Sequence, residues 1–189
     1  YFESLKELDK ILQNTDTNLV LMGIEPTYPS EKYGYIIPKS KDKFSDVETF
    51  KEKPDAKTAQ IYIDKGALWN GGVFAFKLKY IVDKAHQLLD FKNYQDLYDK
   101  YESQEKISFD YAVAEKENSI KVMRFTGRWK DLGTWNALTE EMELCSSGRV
   151  VVDPDTTQNV HAINETGLPM VVAGLRDAVV IATSDGILA

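Results

Sequence analysis

Phe2, Leu5, Leu8, Ile11 and Leu12 recur at helical spacing and give way to polar residues over 14–18, so the chain opens on an amphipathic helix. Leu19-Val20-Leu21-Met22-Gly23-Ile24 follows as an unbroken apolar run, the pattern of a strand covered on both faces. Pro26, Pro29 and Gly34 mark a loop, Tyr35-Ile36-Ile37 a short extended piece, and residues 39–43 a solvated turn. Asp46 to Lys53 alternates as a strand does, and Pro54 suits the first turn of a helix that stops at Gly66. Gly71-Gly72 lead into Val73-Phe74-Ala75-Phe76, which reads as a core strand. Leu78, Ile81, Val82, Ala85, Leu88 and Leu89 form a further helical stripe, continued by Tyr94, Leu97, Tyr98 and Tyr101 as expected packing residues. Ser108 is placed to cap a helix over 109–116, residues 119–125 read as a strand, and Thr134 is placed to cap a helix over 135–143.

After Ser146-Ser147-Gly148 the texture changes. Val150-Val151-Val152, Met170-Val171-Val172 and Ala178-Val179-Val180-Ile181 are short β-branched runs separated by turn residues, which suits a β-meander or the beginning of a solenoid. The pattern therefore predicts an α/β domain over 1–147 and a β-rich module over 148–189. At 189 residues with 43% hydrophobic positions the chain can bury a core without metal or disulfide. A net charge of −7 argues against nucleic acid as a partner, because phosphate backbones are held by clustered cations. The one cysteine, Cys145, fits a reducing compartment and reads as a small, at least half-buried packing residue. No apolar run approaches the roughly 18 residues of a membrane span and no signal peptide opens the chain, so no membrane partner and a cytoplasmic location are expected. The opening at Tyr1 without methionine and the close at Ala189 straight after Ile187-Leu188 suggest that both ends are cut.

Four stretches place polar groups beside Gly or Pro at the ends of expected strands, where α/β folds collect ligands: Tyr33-Gly34-Tyr35, Phe50-Lys51-Glu52-Lys53-Pro54, Trp69-Asn70-Gly71-Gly72 and Trp129-Lys130-Asp131-Leu132-Gly133-Thr134-Trp135. A Glu-Lys pair can hold a polyol phosphate, the carboxylate accepting hydroxyl protons and the ammonium meeting the phosphate. Asn70 can donate and accept toward a sugar hydroxyl, with Gly71 keeping the wall thin. Asp131 suits a divalent-cation ligand. Taken singly, a solvated strand end, a turn asparagine and a capping aspartate account for the same residues.

In their collinear order these motifs, together with Gly23-Ile24-Glu25-Pro26-Thr27 and Phe109-Asp110-Tyr111-Ala112-Val113-Ala114-Glu115-Lys116, closely resemble the mannose-1-phosphate guanylyltransferase family over about the first three-quarters of the chain. Relatives acting on glucose-1-phosphate share the Glu-Lys-Pro and Asp-x-Gly-Thr elements, while Trp-Asn-Gly-Gly and Trp135 lean toward the mannose branch. Gly71 stands where that family commonly has serine and Ala114 where it commonly has methionine. The resemblance implies part of a nucleotide-diphospho-sugar transferase domain, Rossmann-like with a mixed sheet, followed by an all-β module. It implies Mg²⁺ as cofactor, mannose-1-phosphate, GTP and GDP-mannose as ligands, and leaves a homo-oligomer open. It also implies that Gly34, Glu52, Asn70, Gly71 and Asp110 line the sugar site, with Asp110 alternatively favouring only a helix N-terminus, while Lys53 meets the sugar phosphate and Asp131 holds metal. Lys53 and Asp131 are thus the expected catalytic pair. The family's glycine-rich nucleotide loop and its first metal-binding Asp have no counterpart here, so the chain is expected to be inactive alone and to expose a parallel-sheet edge prone to self-association. A glucose-1-phosphate enzyme and a non-catalytic sugar-phosphate-binding regulator are the competing expectations.

Overall fold

The computed structural model describes residues 1–189. The chain divides into two compact units, 1–127 and 128–189. In the first, helix α1 (Phe2–Asn14) buries Leu8 and Leu12 and packs against strands β1 (Leu19–Ile24) and β4 (Leu68–Phe76). All six residues of β1 are buried, as the unbroken apolar run requires. β1 pairs in parallel with β5 (Ile120–Phe125) and antiparallel with β4. Strands β2 (Tyr35–Pro38) and β3 (Phe44–Lys51) complete the circuit, every remaining pairing being antiparallel.

That circuit closes in the order β1-β4-β2-β3-β5, which corrects the expectation of an exposed parallel-sheet edge. Each of the five strands has a neighbour on both sides, and only one of the five pairings is parallel. Closure satisfies the backbone donors and acceptors that an edge strand would offer to another chain. Leu19, Leu21, Ile36, Phe50, Leu68, Ile120 and Val122 fill the interior, with Phe74, Phe76 and Phe109 packed against them. Burying each such aliphatic side chain contributes about 1.5–3 kcal/mol. Opposite β4 the register of β1 shifts between Leu21 and Gly23, and a Cβ on Gly23 would lie 2.5 Å from Leu68 Cδ1. Glycine there lets the two strands close up with Gly23 opposite Asn70.

Helix α2 (Ala56–Asp64) starts later than Pro54 suggests, because Asp55 caps it: the Asp55 carboxylate accepts the Thr58 N–H at 2.9 Å and its hydroxyl at 3.0 Å. Helix α3 (Leu78–Leu88) is tied to the start of β5 by Glu117, whose side chain is 8% exposed. One Glu117 oxygen accepts the Tyr80 hydroxyl at 2.6 Å and lies 3.4 Å from Lys84 Nζ. The other takes the N–H groups of Asn118 and Ser119, both at 3.0 Å, and the Asn18 amide at 3.1 Å. Helix α4 (Tyr94–Lys100) buries no residue, and Tyr94, Tyr98 and Tyr101 are exposed, contrary to the packing role expected of them. Their helical period reflects in part a Tyr94–Tyr98 ring contact across one turn, with centroids 6.3 Å apart. Helix α5 (Phe109–Ala112) is capped as expected, Ser108 Oγ accepting the Tyr111 N–H at 3.4 Å.

In the second unit Thr134 caps helix α6 (Trp135–Thr139), its hydroxyl accepting the Ala137 N–H at 3.3 Å. Strands β6 (Ser146–Gly148), β8 (Gln158–Asn164) and β10 (Arg176–Thr183) stack in parallel, and β7 (Val150–Val152) stacks in parallel on β9 (Met170–Val172). Successive strands thus alternate between two ladders, which is the solenoid alternative and not the meander. Only β11 (Gly186–Leu188) turns back antiparallel, on β10. Val160, Ala162, Val172 and Val180 form the core between the ladders, and Asn164 spans the corner by donating to the carbonyls of Arg149 and Leu168 at 3.0 and 2.7 Å. The compact grouping changes at 127/128, earlier than the change of sequence texture near 148. Cys145 is exposed, not half-buried, because it lies in the bend that leads into β6. No helix is long and apolar enough to cross a membrane.

Candidate functional site

The register of β2 between β3 and β4 builds a row of three residues. Tyr35 pairs with Lys51 on one side and Trp69 on the other, so the preceding position of β2 brings Gly34 between Glu52 and Asn70. The Asn70 N–H donates to the Gly34 carbonyl at 2.7 Å. By strand alternation, Glu52, Gly34 and Asn70 share the face of the core residues Phe50, Ile36 and Leu68 and stand at the end of that core. A Cβ on Gly34 would lie 2.4 Å from Glu52 Oε2 and 3.3 Å from Asn70 Cβ. Glycine at 34 is what lets the Glu52 carboxylate and the Asn70 side chain close on the strand between them.

Glu52 is unusual for a carboxylate in being almost wholly buried, its side chain 5% exposed. Oε1 accepts the Lys53 ammonium at 2.8 Å, whereas Oε2 is buried and has no hydrogen-bond partner. Leaving such an oxygen unsatisfied costs about 1–3 kcal/mol or more, a cost that a donor from a ligand would remove. Lys53 holds a left-handed backbone, φ 45°, strained for a residue with a Cβ. The Glu52 hydrogen bond raises the Lys53 pKa above its ordinary value against the effect of burial, helped by the charge of Glu52 and by Tyr111 and Asp110 nearby. Lys53 therefore remains a half-exposed cation beside the row, suited to an anionic group.

Asn70 is held from the far side. Its Nδ2 donates to Asp110 Oδ1 at 2.7 Å and its Oδ1 accepts the Gly72 N–H at 3.1 Å. Asp110 rides on α5, which is fixed by Phe109 packing against Phe74 and Phe76 with ring centroids 5.0 and 5.9 Å apart. The 3₁₀ turn beyond α5 adds an ion pair between Glu115 and Lys51. Gly71 turns instead toward β1, where a Cβ would meet the Met22 carbonyl oxygen and Ile24 Cγ1, each at 3.1 Å. Five expected residues, Gly34, Glu52, Lys53, Asn70 and Asp110, thus form one connected cluster, and Gly71 packs behind it.

The sequence did not single out Tyr111 beside Lys53 or the clasp on Trp69, which meets the rings of Tyr28 and Tyr33 at 5.1 and 4.8 Å. Aromatic residues flanking the Gly34 loop were the available signal, but only folding brings residues 28 and 33 onto residue 69. Asp131 lies in the second unit and is exposed. Its Oδ1 accepts the Gly133 N–H at 2.8 Å, closing the turn that leads to Thr134. No group of three or more His, Cys, Asp or Glu side chains is arranged to hold a metal, so Asp131 can offer a single carboxylate.

Comparison with known proteins gives this geometry its context. The nucleotidyl transferase family model matches residues 3–147. Mannose-1-phosphate guanylyltransferase of Escherichia coli is 34% identical over 199 residues, covering 90% of this chain and 42% of that protein. Xanthan biosynthesis protein XanB of Xanthomonas campestris pv. campestris (strain B100) is 31% identical over 193 residues, covering 90% and 40%. A crystal structure described as mannose-1-phosphate geranyltransferase from Thermus thermophilus superposes with a TM-score of 0.71 at 27% identity, covering 98% of this chain and 59% of that one. The chain spans about two-fifths of the length of the curated relatives it matches.

Proposed function

The chain belongs to the nucleotidyl transferase family, and from that membership we propose that it is the sugar-1-phosphate-binding part of a mannose-1-phosphate guanylyltransferase. One observation carries the reading: a buried carboxylate oxygen without a donor, Glu52 Oε2, is packed against Gly34 in the same row as the Asn70 side chain, with the Lys53 ammonium on the other oxygen. A polyol phosphate matches that set, its hydroxyls donating to Glu52 and exchanging hydrogen bonds with Asn70, its phosphate meeting Lys53.

In the proposed reaction the phosphate oxygen of mannose-1-phosphate attacks the α-phosphorus of GTP in line. The α–β bridging bond breaks, giving GDP-mannose and pyrophosphate. The work of this chain is positioning: Glu52 and Asn70 orient the sugar while Lys53 steadies the attacking phosphate. Mg²⁺, when bound, supplies charge neutralisation at the reacting phosphates. Asp131 fits the role of one ligand, since Mg²⁺ is commonly held by one or two carboxylates together with substrate phosphates and water, and its Oδ2 is not used by the turn.

These 189 residues by themselves are expected to make no GDP-mannose, because they contain no glycine-rich, Arg- and Lys-bearing loop for a triphosphate. GTP turnover with mannose-1-phosphate by the pure chain would refute that. Sugar-phosphate binding is separable and tests the reading directly. Lys53→Ala is expected to weaken mannose-1-phosphate binding by about ten- to a hundredfold, the worth of a charge-assisted hydrogen bond, with little effect on free mannose. Titration calorimetry with both ligands checks this. An equal loss for both would assign Lys53 a structural role, and no uptake of mannose-1-phosphate by the unaltered chain would sink the proposal.

A further inference from the structure

We infer that Asp110 is a positioning residue that acts through Asn70, not a sugar ligand in its own right. The inference rests on the sugar-phosphate reading above and assigns one residue of that site a different job. Its basis is the sense of the two hydrogen bonds on the Asn70 carboxamide. Asp110 Oδ1, 2.7 Å from Nδ2, belongs to a carboxylate and only accepts. The Gly72 N–H, 3.1 Å from Oδ1, only donates. Neither partner tolerates a flipped amide, so the nitrogen must face α5 and the oxygen must face Gly72. What remains for a ligand is one N–H and one lone pair, held in a single orientation beside the unpartnered Glu52 Oε2. An acceptor and a donor set side by side in this way suit two neighbouring hydroxyls of a sugar ring.

The rest of the 109–116 segment has the same supporting character. Phe109 anchors it to β4, Glu115 ties it to Lys51 at the end of β3, and Asp110 adds negative charge near Lys53. The segment is thus held to β4 and to the end of β3, and Asp110 is its link to the Asn70 carboxamide.

The test is a double-mutant cycle read by calorimetric titration of mannose-1-phosphate into the 189-residue chain. Asn70→Ala and Asp110→Ala are each expected to weaken binding about tenfold, and the double variant by about the same factor, because the second change removes nothing the first has left. Asp110→Asn keeps an acceptor for Asn70 Nδ2 and is expected to recover most of the loss. A ligand-free readout accompanies it: the Asn70 side-chain amide signals in ¹⁵N-resolved NMR are expected to lose their protection from exchange in Asp110→Ala and to keep it in Asp110→Asn. Multiplying effects, about a hundredfold in the double variant, would make Asp110 an independent sugar contact and overturn the inference while leaving the sugar site standing. An Asn70 amide unmoved by Asp110→Ala would overturn it as well. No binding by the unaltered chain overturns the sugar-phosphate reading and, with it, this role.

Discussion

Asp131→Asn is expected to lower kcat for GDP-mannose formation by about two orders of magnitude or more, with folding intact. The assay uses a chimera in which these 189 residues replace the matching segment of a full-length guanylyltransferase. Folding should survive because the asparagine keeps Oδ1, the atom that accepts the Gly133 N–H at 2.8 Å and closes the turn before α6. What disappears is the negative charge, and with it the affinity for a hard divalent cation. Partial recovery at high Mg²⁺ or Mn²⁺ is therefore part of the expectation. The competing role, in which Asp131 only shapes the turn, predicts a lower melting temperature with near-normal kcat. Measuring melting temperature and metal-dependent kcat on one variant separates the two, and a stable variant with unchanged metal dependence removes Asp131 from the metal.

Below about pH 4.5 the first unit is expected to lose stability through Glu117. Burial alone would raise the pKa of this carboxyl. The Tyr80 hydroxyl, the Ser119 N–H, the Asn18 amide and the Lys84 charge outweigh burial and hold it at about 2, against 4.5 for an unperturbed glutamate. Burial, reinforced by the same contact, pushes the Tyr80 hydroxyl upward, so the proton stays on tyrosine and the charge on glutamate. A group whose folded pKa is depressed stabilises the fold above its unfolded pKa and loses that contribution as pH falls toward the folded one. The contribution amounts to about 3 kcal/mol at neutral pH, declining between about pH 4.5 and 2. Glu117→Gln should therefore unfold at lower urea at pH 7 and show a flatter acid limb than the unaltered chain. Equal acid sensitivity in the two proteins would mean that other carboxyls govern the transition. Tyr80→Phe, which removes one donor only, should fall between them.

Element types were legible wherever local pattern and burial coincide. The apolar run at Leu19–Ile24 reads as a strand covered on both faces and is one, and Ser108 and Thr134 cap helices because a hydroxyl next to free N–H groups acts over three residues of chain. The tyrosines of α4 misled because a helical period records neighbours along the helix as readily as a buried face. Pro54 misled by two residues, since the helix begins at Ala56 with the adjacent Asp55 as its cap. For the site, the wording of the motifs singled out Gly34, Glu52, Lys53, Asn70 and Asp110, but their individual meanings were indistinguishable from turns and strand ends.

By itself, then, the sequence determined most elements of the first unit, the mixed α/β character and the short roll of polar residues at strand ends, because these depend on periodicity and on chemistry within a few residues; β8 (Gln158–Asn164) and the early stops of α5 and α6 were not legible in it. Only the tertiary structure decided that the strands close on themselves with a single parallel pairing, since closure depends on which distant segments hydrogen-bond. It also decided that Glu52, Gly34 and Asn70 stand abreast, that one Glu52 oxygen is buried without a donor, and that Asp110 fixes Asn70 from 40 positions away. Desolvation and hydrogen-bond sense are properties of packed neighbours, and packed neighbours are what a linear sequence does not display.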